Sequence, residues 1–158
     1  MNESNSFRFF IAGIMQGSRI EAVCHDQNYR SILTDRLRKF FPNATVYDPY
    51  ANHQESLNYS FESGRQVFLT HNKMCGAETD ALIAFLPEAS MGTAIEMWEA
   101  WKNGAAIISI SPMVENWVVK FLSDAIYPSL NEFNFALETG EISSILENSS
   151  KRQQPIMS

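Results

Sequence analysis

The chain has 158 residues, 45% of them apolar and eleven of them Phe, which suits one domain with a proper core. Eighteen acidic against twelve basic residues leave a net charge of −6, which argues against a nucleic-acid backbone or an anionic membrane as partner, because both attract basic patches. There are two cysteines, Cys24 and Cys75, and no CxxC or Cys/His cluster, so no disulfide framework, metal site or zinc site is indicated and both are expected as reduced thiols packed as small hydrophobes.

Residues 1–6 are polar and lack a signal peptide's apolar stretch, and no apolar run approaches the roughly 18 residues of a membrane span, so a cytoplasmic address is expected. Residues 7–14 (FRFFIAGI) are apolar and β-prone, which predicts a buried first strand, followed by a loop at 15–19 (MQGSR). Over 25–41 apolar residues recur at helical spacing, with Tyr29, Ile32, Leu33, Leu37 and Phe40 on one side, until Pro42 stops the helix. A short second strand at 44–47 (ATVY) ends at Asp48 and Pro49, and 51–59 reads as a polar loop. A second helix is expected over 61–77, with Val67, Phe68 and Met74 facing inward. Residues 81–86 (ALIAFL) are the clearest buried strand. A loop at 87–92 leads into a helix at 93–102, ended by Asn103 and Gly104. A further buried strand at 105–110 (AAIISI), a short helix around 116–124 and a last strand at 133–137 complete the domain, 1–148. The polar tail, 149–158, is expected to be disordered.

Strands alternating with helices, and apolar along their whole length, indicate a parallel sheet covered on both faces. Five of them predict an α/β fold: a single flavodoxin-like (Rossmann-like), doubly wound domain with a mainly parallel sheet. Ligands of such sheets bind outside the strand C-terminal ends, which directs attention to 14–19, 87–96 and 111–115.

The stretch 90–99 (SMGTAIEMWE) follows a strand and opens a helix at that edge. Gly92 permits a tight turn there, and Glu96 is placed in the first helical turn. A carboxylate in that position can face a sugar anomeric carbon as nucleophile. It has a second reading. Thr93 and Glu96 form T-x-x-E, a capping box, in which Glu96 merely satisfies the Thr93 N–H. Periodicity does not separate the two. Trp98 and Trp101 read as packing residues.

Three stretches resemble the nucleoside 2-deoxyribosyltransferase superfamily, which includes the 2′-deoxynucleoside 5′-phosphate N-hydrolases. They are 9–19 (FFIAGIMQGSR), 79–111 (TDALIAFLPEASMGTAIEMWEAWKNGAAIISIS) and, more weakly, a polar segment near 129–141 similar to the family's C-terminal strand region. The resemblance implies that Glu96 is the nucleophile of a glycosyl-enzyme intermediate and that Asp80 orients the nucleophile loop or the sugar. It implies that Ser90 and Gly92 belong to a loop receiving a 5′-phosphate. Gly13, Ile14, Gln16, Gly17, Ser18 and Arg19 match the first substrate loop. The bland alternatives are a strand-start acid for Asp80, a loop serine or N-cap for Ser90, and a solvated side chain for Arg19.

One departure stands out. Where the family places an Asp that manages the proton of the leaving base, this chain has Asn72, flanked by His71 and Lys73. Asn cannot donate and recover a proton. His71 has the pKa range to take over that task, although a lone helical His is commonly structural.

The expected activity is cleavage of the N-glycosidic bond of a nucleoside or (deoxy)nucleoside 5′-monophosphate through a covalent glycosyl-Glu96 intermediate, with no cofactor. The alternatives are base exchange by a deoxyribosyltransferase and non-catalytic nucleotide binding, for which Asn72 argues. The resemblance also implies a homodimer or higher homo-oligomer whose C-terminal residues close a neighbour's site; Tyr127, Phe133 and Phe135 are candidates for such contacts, or for core. Residues 47–50 (YDPY) and Asn116 with Trp117 are placed near strand ends without an assigned role.

Overall fold

The computed structural model describes residues 6–149. The strands are β1 (Arg8–Gly13), β2 (Thr45–Tyr47), β3 (Ala81–Phe85), β4 (Ala106–Ile110) and β5 (Ala125–Tyr127). The helices are α1 (Asn28–Phe40), α2 (Pro49–Asn52), α3 (Phe61–Ala77), α4 (Met91–Lys102), α5 (Trp117–Leu122), α6 (Leu130–Glu138) and α7 (Glu141–Ser149), with a 3-10 turn at Ser56–Asn58. The strands form one sheet in the order β2-β1-β3-β4-β5, and every pairing is parallel. This is the flavodoxin-like order, with its topological switch between β1 and β3.

The three central strands are largely apolar because both faces of the sheet are covered, with Arg8 at the exposed start of β1 and Ser109 in β4 as exceptions. Phe9, Ile11, Ile83 and Ile108 pack with Leu33 and Leu37 of α1, Phe133 of α6, and Ile142 and Leu146 of α7. Phe10, Ala12, Leu82 and Ile107 pack with Cys75 of α3, Met97 and Ala100 of α4, and Val119 of α5. Each fully buried Leu, Ile or Phe contributes about 1.5–3 kcal/mol. No helix among the described residues is long and apolar enough to cross a membrane.

Several expectations are corrected. The last strand is Ala125–Tyr127, and residues 133–137 belong to α6. Phe133, Ala136 and Leu137 are buried at helical spacing, and the Ser129 hydroxyl caps the start by accepting from the Asn131 N–H. The segment 129–141 therefore supplies no strand. Residues 51–59 include the end of α2 and the 3-10 turn; Asp48 caps α2 and Pro49 opens it. Phe68 of α3 is exposed, and His71 and Cys75 are the buried residues of that helix. Tyr127 and Phe133 are core, whereas Phe135 is exposed. Helix α7 carries the domain to Ser149, which is buried; the rest of the tail lies outside the described residues.

The strand ends are level where it matters. Gly13 pairs with Phe85, Phe85 with Ile110, and Ile110 with Tyr127. Strand β2 stops earlier, opposite Phe10. The Thr45 N–H binds the Phe7 carbonyl, so the alternating carbonyls of Phe9, Ile11 and Gly13 also point toward β2. Two residues beyond Tyr47 stands Pro49, which has no N–H to give. The last β1 carbonyls on that side are left for a side chain to satisfy.

Candidate active site

Helix α4 begins two residues earlier than expected, at Met91. Ser90 is its N-cap; its hydroxyl accepts from the Thr93 N–H at 3.4 Å and from the Thr93 hydroxyl at 3.0 Å. The capping box of Thr93 and Glu96 does not form. Glu96 lies in the second turn, half-buried, and its carboxyl takes no hydrogen bond from any described residue. Burial pushes this carboxyl up to about 8, while Arg30 pulls it down. An acid kept out of water without a hydrogen-bond partner is costly to the fold, and such groups concentrate at functional sites.

Gly92 is inside the first turn of α4 with no positive φ, so no tight turn depends on it. A Cβ there would meet nothing within 4 Å. Gly92→Ala is therefore expected to raise stability by about 0.5–1 kcal/mol in a thermal or urea melt. A loss of stability would show that the space above this turn is not free.

Arg30 sits at the C-terminal end of β1. It is 3% exposed. Its Nη1 donates to the Ile11 carbonyl at 3.2 Å and to Asp48 Oδ1 at 2.9 Å, and its Nη2 donates to the Gly13 carbonyl at 3.0 Å. The Nε donates to Gln27 Oε1 at 2.7 Å. The guanidinium thus replaces the donors that β2 and Pro49 do not supply. The neighbouring Tyr29 stacks on Phe85 and donates its hydroxyl to the Ile14 carbonyl at 3.0 Å. Gly13 makes this approach possible, since a Cβ would stand 2.3 Å from the Tyr29 oxygen.

On α3, His71 is buried, with Nε2 3.3 Å from the Tyr47 hydroxyl and its ring edge-on to His53. Burial, then His53 and Arg30, push its pKa down to about 4, so the imidazole is neutral at pH 7. His53 Nδ1 lies 2.9 Å from the Tyr59 hydroxyl. These rings, with Met15, Pro49, Val67 and Phe68, line a cavity of about 170 Å³. Asn72 turns its amide onto its own helix, donating to the Phe68 carbonyl at 2.8 Å, while its Oδ1 is buried without a partner.

The first loop is largely self-satisfied. Gln16 donates to the carbonyls of Arg19 and Glu21, and the exposed Arg19 donates to the Cys24 carbonyl. Gly17 has a φ of 61° and is packed against Glu88, Ile14 and His25, so a side chain there would be strained and crowded. Ser18 reaches Glu88 Oε1 at 3.5 Å, and His25 Nε2 lies 2.9 Å from the same oxygen but off hydrogen-bond geometry. On the other side, Ser90, Ala94, Met113 and Asn116 help line a cavity of about 160 Å³ between the β3–α4 and β4–α5 loops.

Asp80 is not brought to Glu96. It precedes β3, at the opposite end of the sheet from the start of α4. Its carboxylate accepts from the Arg8 N–H, Nε and Nη2 at 2.8–3.0 Å, and these bonds hold its pKa below the usual carboxylate range against the effect of partial burial. The acid joins the starts of β1 and β3, so it has no reach to a sugar or the nucleophile loop. Asp80→Ala is expected to cost no more than about 1 kcal/mol, because the pair is solvent-exposed, and to leave turnover unchanged. A loss of kcat without loss of stability would overturn this placement.

Arg30 and His53 were not singled out from the sequence, Tyr29 was named only on the apolar stripe of α1, and Asp48 only within 47–50 without an assigned role. The signal for Arg30 was legible: it falls in phase with Leu33 and Leu37 on the buried stripe of α1. A cation on an apolar stripe requires a buried partner.

No protein-family model matches the sequence, and no curated protein matches it. The fold is similar to a solved structure of 2-deoxyribosyltransferase from Bacillus psychrosaccharolyticus. The TM-score is 0.59 at 20% sequence identity, over 80% of this chain and 90% of that chain. That likeness is one of fold.

Proposed function

We propose that the protein cleaves the N-glycosidic bond of a nucleoside or (deoxy)nucleoside 5′-monophosphate, with Glu96 as nucleophile. The observation that carries this reading is an unbonded, half-buried carboxyl near the C-terminal edge of a parallel sheet, within electrostatic reach of a fixed arginine. Ionised Glu96 attacks the anomeric carbon; the C–N bond breaks, its electron pair leaves with the base, and the base takes a proton. His71 is the group proposed to relay that proton, since a neutral imidazole offers one donor and one acceptor nitrogen. Water then attacks the anomeric carbon, Glu96 departs as carboxylate, and the water's proton is released, so base and sugar are the net products.

Base exchange is the second reading, favoured by the similarity of fold to a 2-deoxyribosyltransferase. Two features once pointing to a 5′-phosphate are otherwise engaged: Ser90 in capping α4, and Arg19 in its own loop. The test is to incubate the protein with nucleosides and their monophosphates, with and without a second free base, and separate the products by chromatography. Free sugar supports hydrolysis, and a new nucleoside supports exchange. Ligand binding without release of any base leaves a nucleotide-binding protein and overturns both readings.

A homodimer is part of the proposal, supported by exposed Met91 and Trp98 on α4 and exposed Trp117 and Phe121 on α5. Sedimentation equilibrium returning a monomer would remove it.

A further inference from the structure

The cavity between α2, the 3-10 turn and α3 has the size of one flat ring. It measures about 170 Å³. An apolar protein cavity of about 150 Å³ holds one benzene molecule, so this space suits a six-membered ring and is short of a fused pair. Pro49, Val67 and Phe68 give it apolar walls. Its polar groups come as a cluster. The rings of His53 and His71 have their centroids 5.1 Å apart and are tilted by 65°. His53 Nδ1 lies 2.9 Å from the Tyr59 hydroxyl, and His71 Nε2 lies 3.3 Å from the Tyr47 hydroxyl. The second nitrogen of each ring, His53 Nε2 and His71 Nδ1, makes no hydrogen bond with any described residue. A phenol thus holds each ring by one nitrogen and leaves the other for a guest, to which it donates or from which it accepts according to tautomer.

The position of the cavity is set by the strands. Met15 lies two residues beyond Gly13 of β1, and Pro49 lies two beyond Tyr47 of β2. Both walls therefore stand at the C-terminal end of the sheet, where parallel sheets bind their ligands. An apolar slot with a few convergent polar groups is the usual construction of a small-molecule subsite.

We propose that this cavity is a subsite for a single-ring pyrimidine base, and that His53 determines specificity by reading the polar edge of that base. The inference rests on the proposed glycosidase reading for one point, that the pyrimidine is the leaving group. A pyrimidine carries ring nitrogen and carbonyl groups side by side on one edge, which suits two adjacent imidazole nitrogens. A purine carries a second ring, for which the slot has no room. His53 is the C-cap of α2, and the Tyr59 hydroxyl and the His71 ring hold it from two sides. Gly64 of α3 gives the cavity part of its width. It also lines the space, and a Cβ there would meet only Tyr59, at 3.8 Å. A larger side chain at 64 is therefore unstrained and takes up room that the base needs.

The experiment measures binding of free uracil, thymine and cytosine, and of free adenine and hypoxanthine, by calorimetry and saturation-transfer NMR. It uses wild type, His53→Phe and Gly64→Leu, and runs beside base release from pyrimidine and purine nucleosides and their monophosphates. Pyrimidines are expected to bind wild type, and purines at least about tenfold more weakly. His53→Phe keeps the ring and loses the hydrogen bond, so pyrimidine binding should weaken about tenfold. Gly64→Leu should abolish it with no fall in melting temperature. If Gly64→Leu does not fold, Gly64→Ala decides by a weaker form of the same loss. No binding of pyrimidines, purines bound as tightly, or Gly64 variants that bind as wild type does would each overturn the inference. Release of purines alone would overturn it and leave the glycosidase reading standing. Pyrimidine binding that is lost in Gly64→Leu, in a protein that releases no base, would keep the subsite and overturn the glycosidase reading instead.

Discussion

Glu96→Gln is expected to lower kcat for base release by at least about 10³-fold, with ligand binding retained. The amide is nearly isosteric with the protonated acid, so the pocket is preserved and only the nucleophile is lost. The same argument fixes the wild-type pH profile. Glu96 is held up to about 8 in the free protein, so kcat/KM should climb roughly tenfold per pH unit on the acid side and level off above that value. Full activity in the Gln variant, read by chromatography of the released base, would end the proposal. It would also leave the burial of Glu96 without a chemical reason.

The second large effect is on stability, and its sign is set by the same carboxyl. The folded protein holds the Glu96 proton more tightly than the unfolded chain, whose carboxyl titrates near 4.5. The contribution to stability is therefore fully present below that value, is lost as pH rises toward about 8, and changes little beyond. The loss is about 3–5 kcal/mol. Gln cannot ionise. Wild type and Glu96→Gln should be nearly equal in stability at pH 4, and the variant should be the more stable by about 3 kcal/mol at pH 8. Urea melts at both pH values measure the difference. Asp80 runs the other way, being ionised in its bond with Arg8, but it is common to both proteins and cancels. A variant less stable than wild type at pH 8 would mean that the carboxylate has a partner. A gain in stability coupled to lost turnover is the expected mark of a group kept for chemistry.

Much of the architecture was legible. The runs at 81–86 and 105–110 are apolar at every residue but Ser109 because both faces of their strands are covered, and such runs cannot be mistaken for half-exposed strands. The bounds expected for α3, 61–77, are those observed, and Ser60 caps its start, although its inward face is set by His71 and Cys75 and not by Phe68. The segment 133–137 was misread because five apolar-rich residues satisfy a strand and a helix equally well. The caps at Ser129 and the packing of α6 on α1 and α7 decided it.

The sequence alone determined a doubly wound parallel sheet and put Glu96 after its third strand, because burial on two faces and a strand-loop-helix pattern are local properties of a chain. It left open whether Glu96 capped its helix, where Asp80 pointed, and why Arg30 interrupted an apolar stripe. Only the tertiary structure settled those points. A cap depends on one hydroxyl reaching one N–H, which Ser90 does and Thr93 does not. An ion pair such as Arg8 with Asp80, or Arg30 with Asp48, joins residues 72 and 18 positions apart, and no periodicity carries that information. Which carbonyls at the end of β1 lack a partner follows from where β2 stops. That is a matter of register between strands, which is read in space and not along the chain.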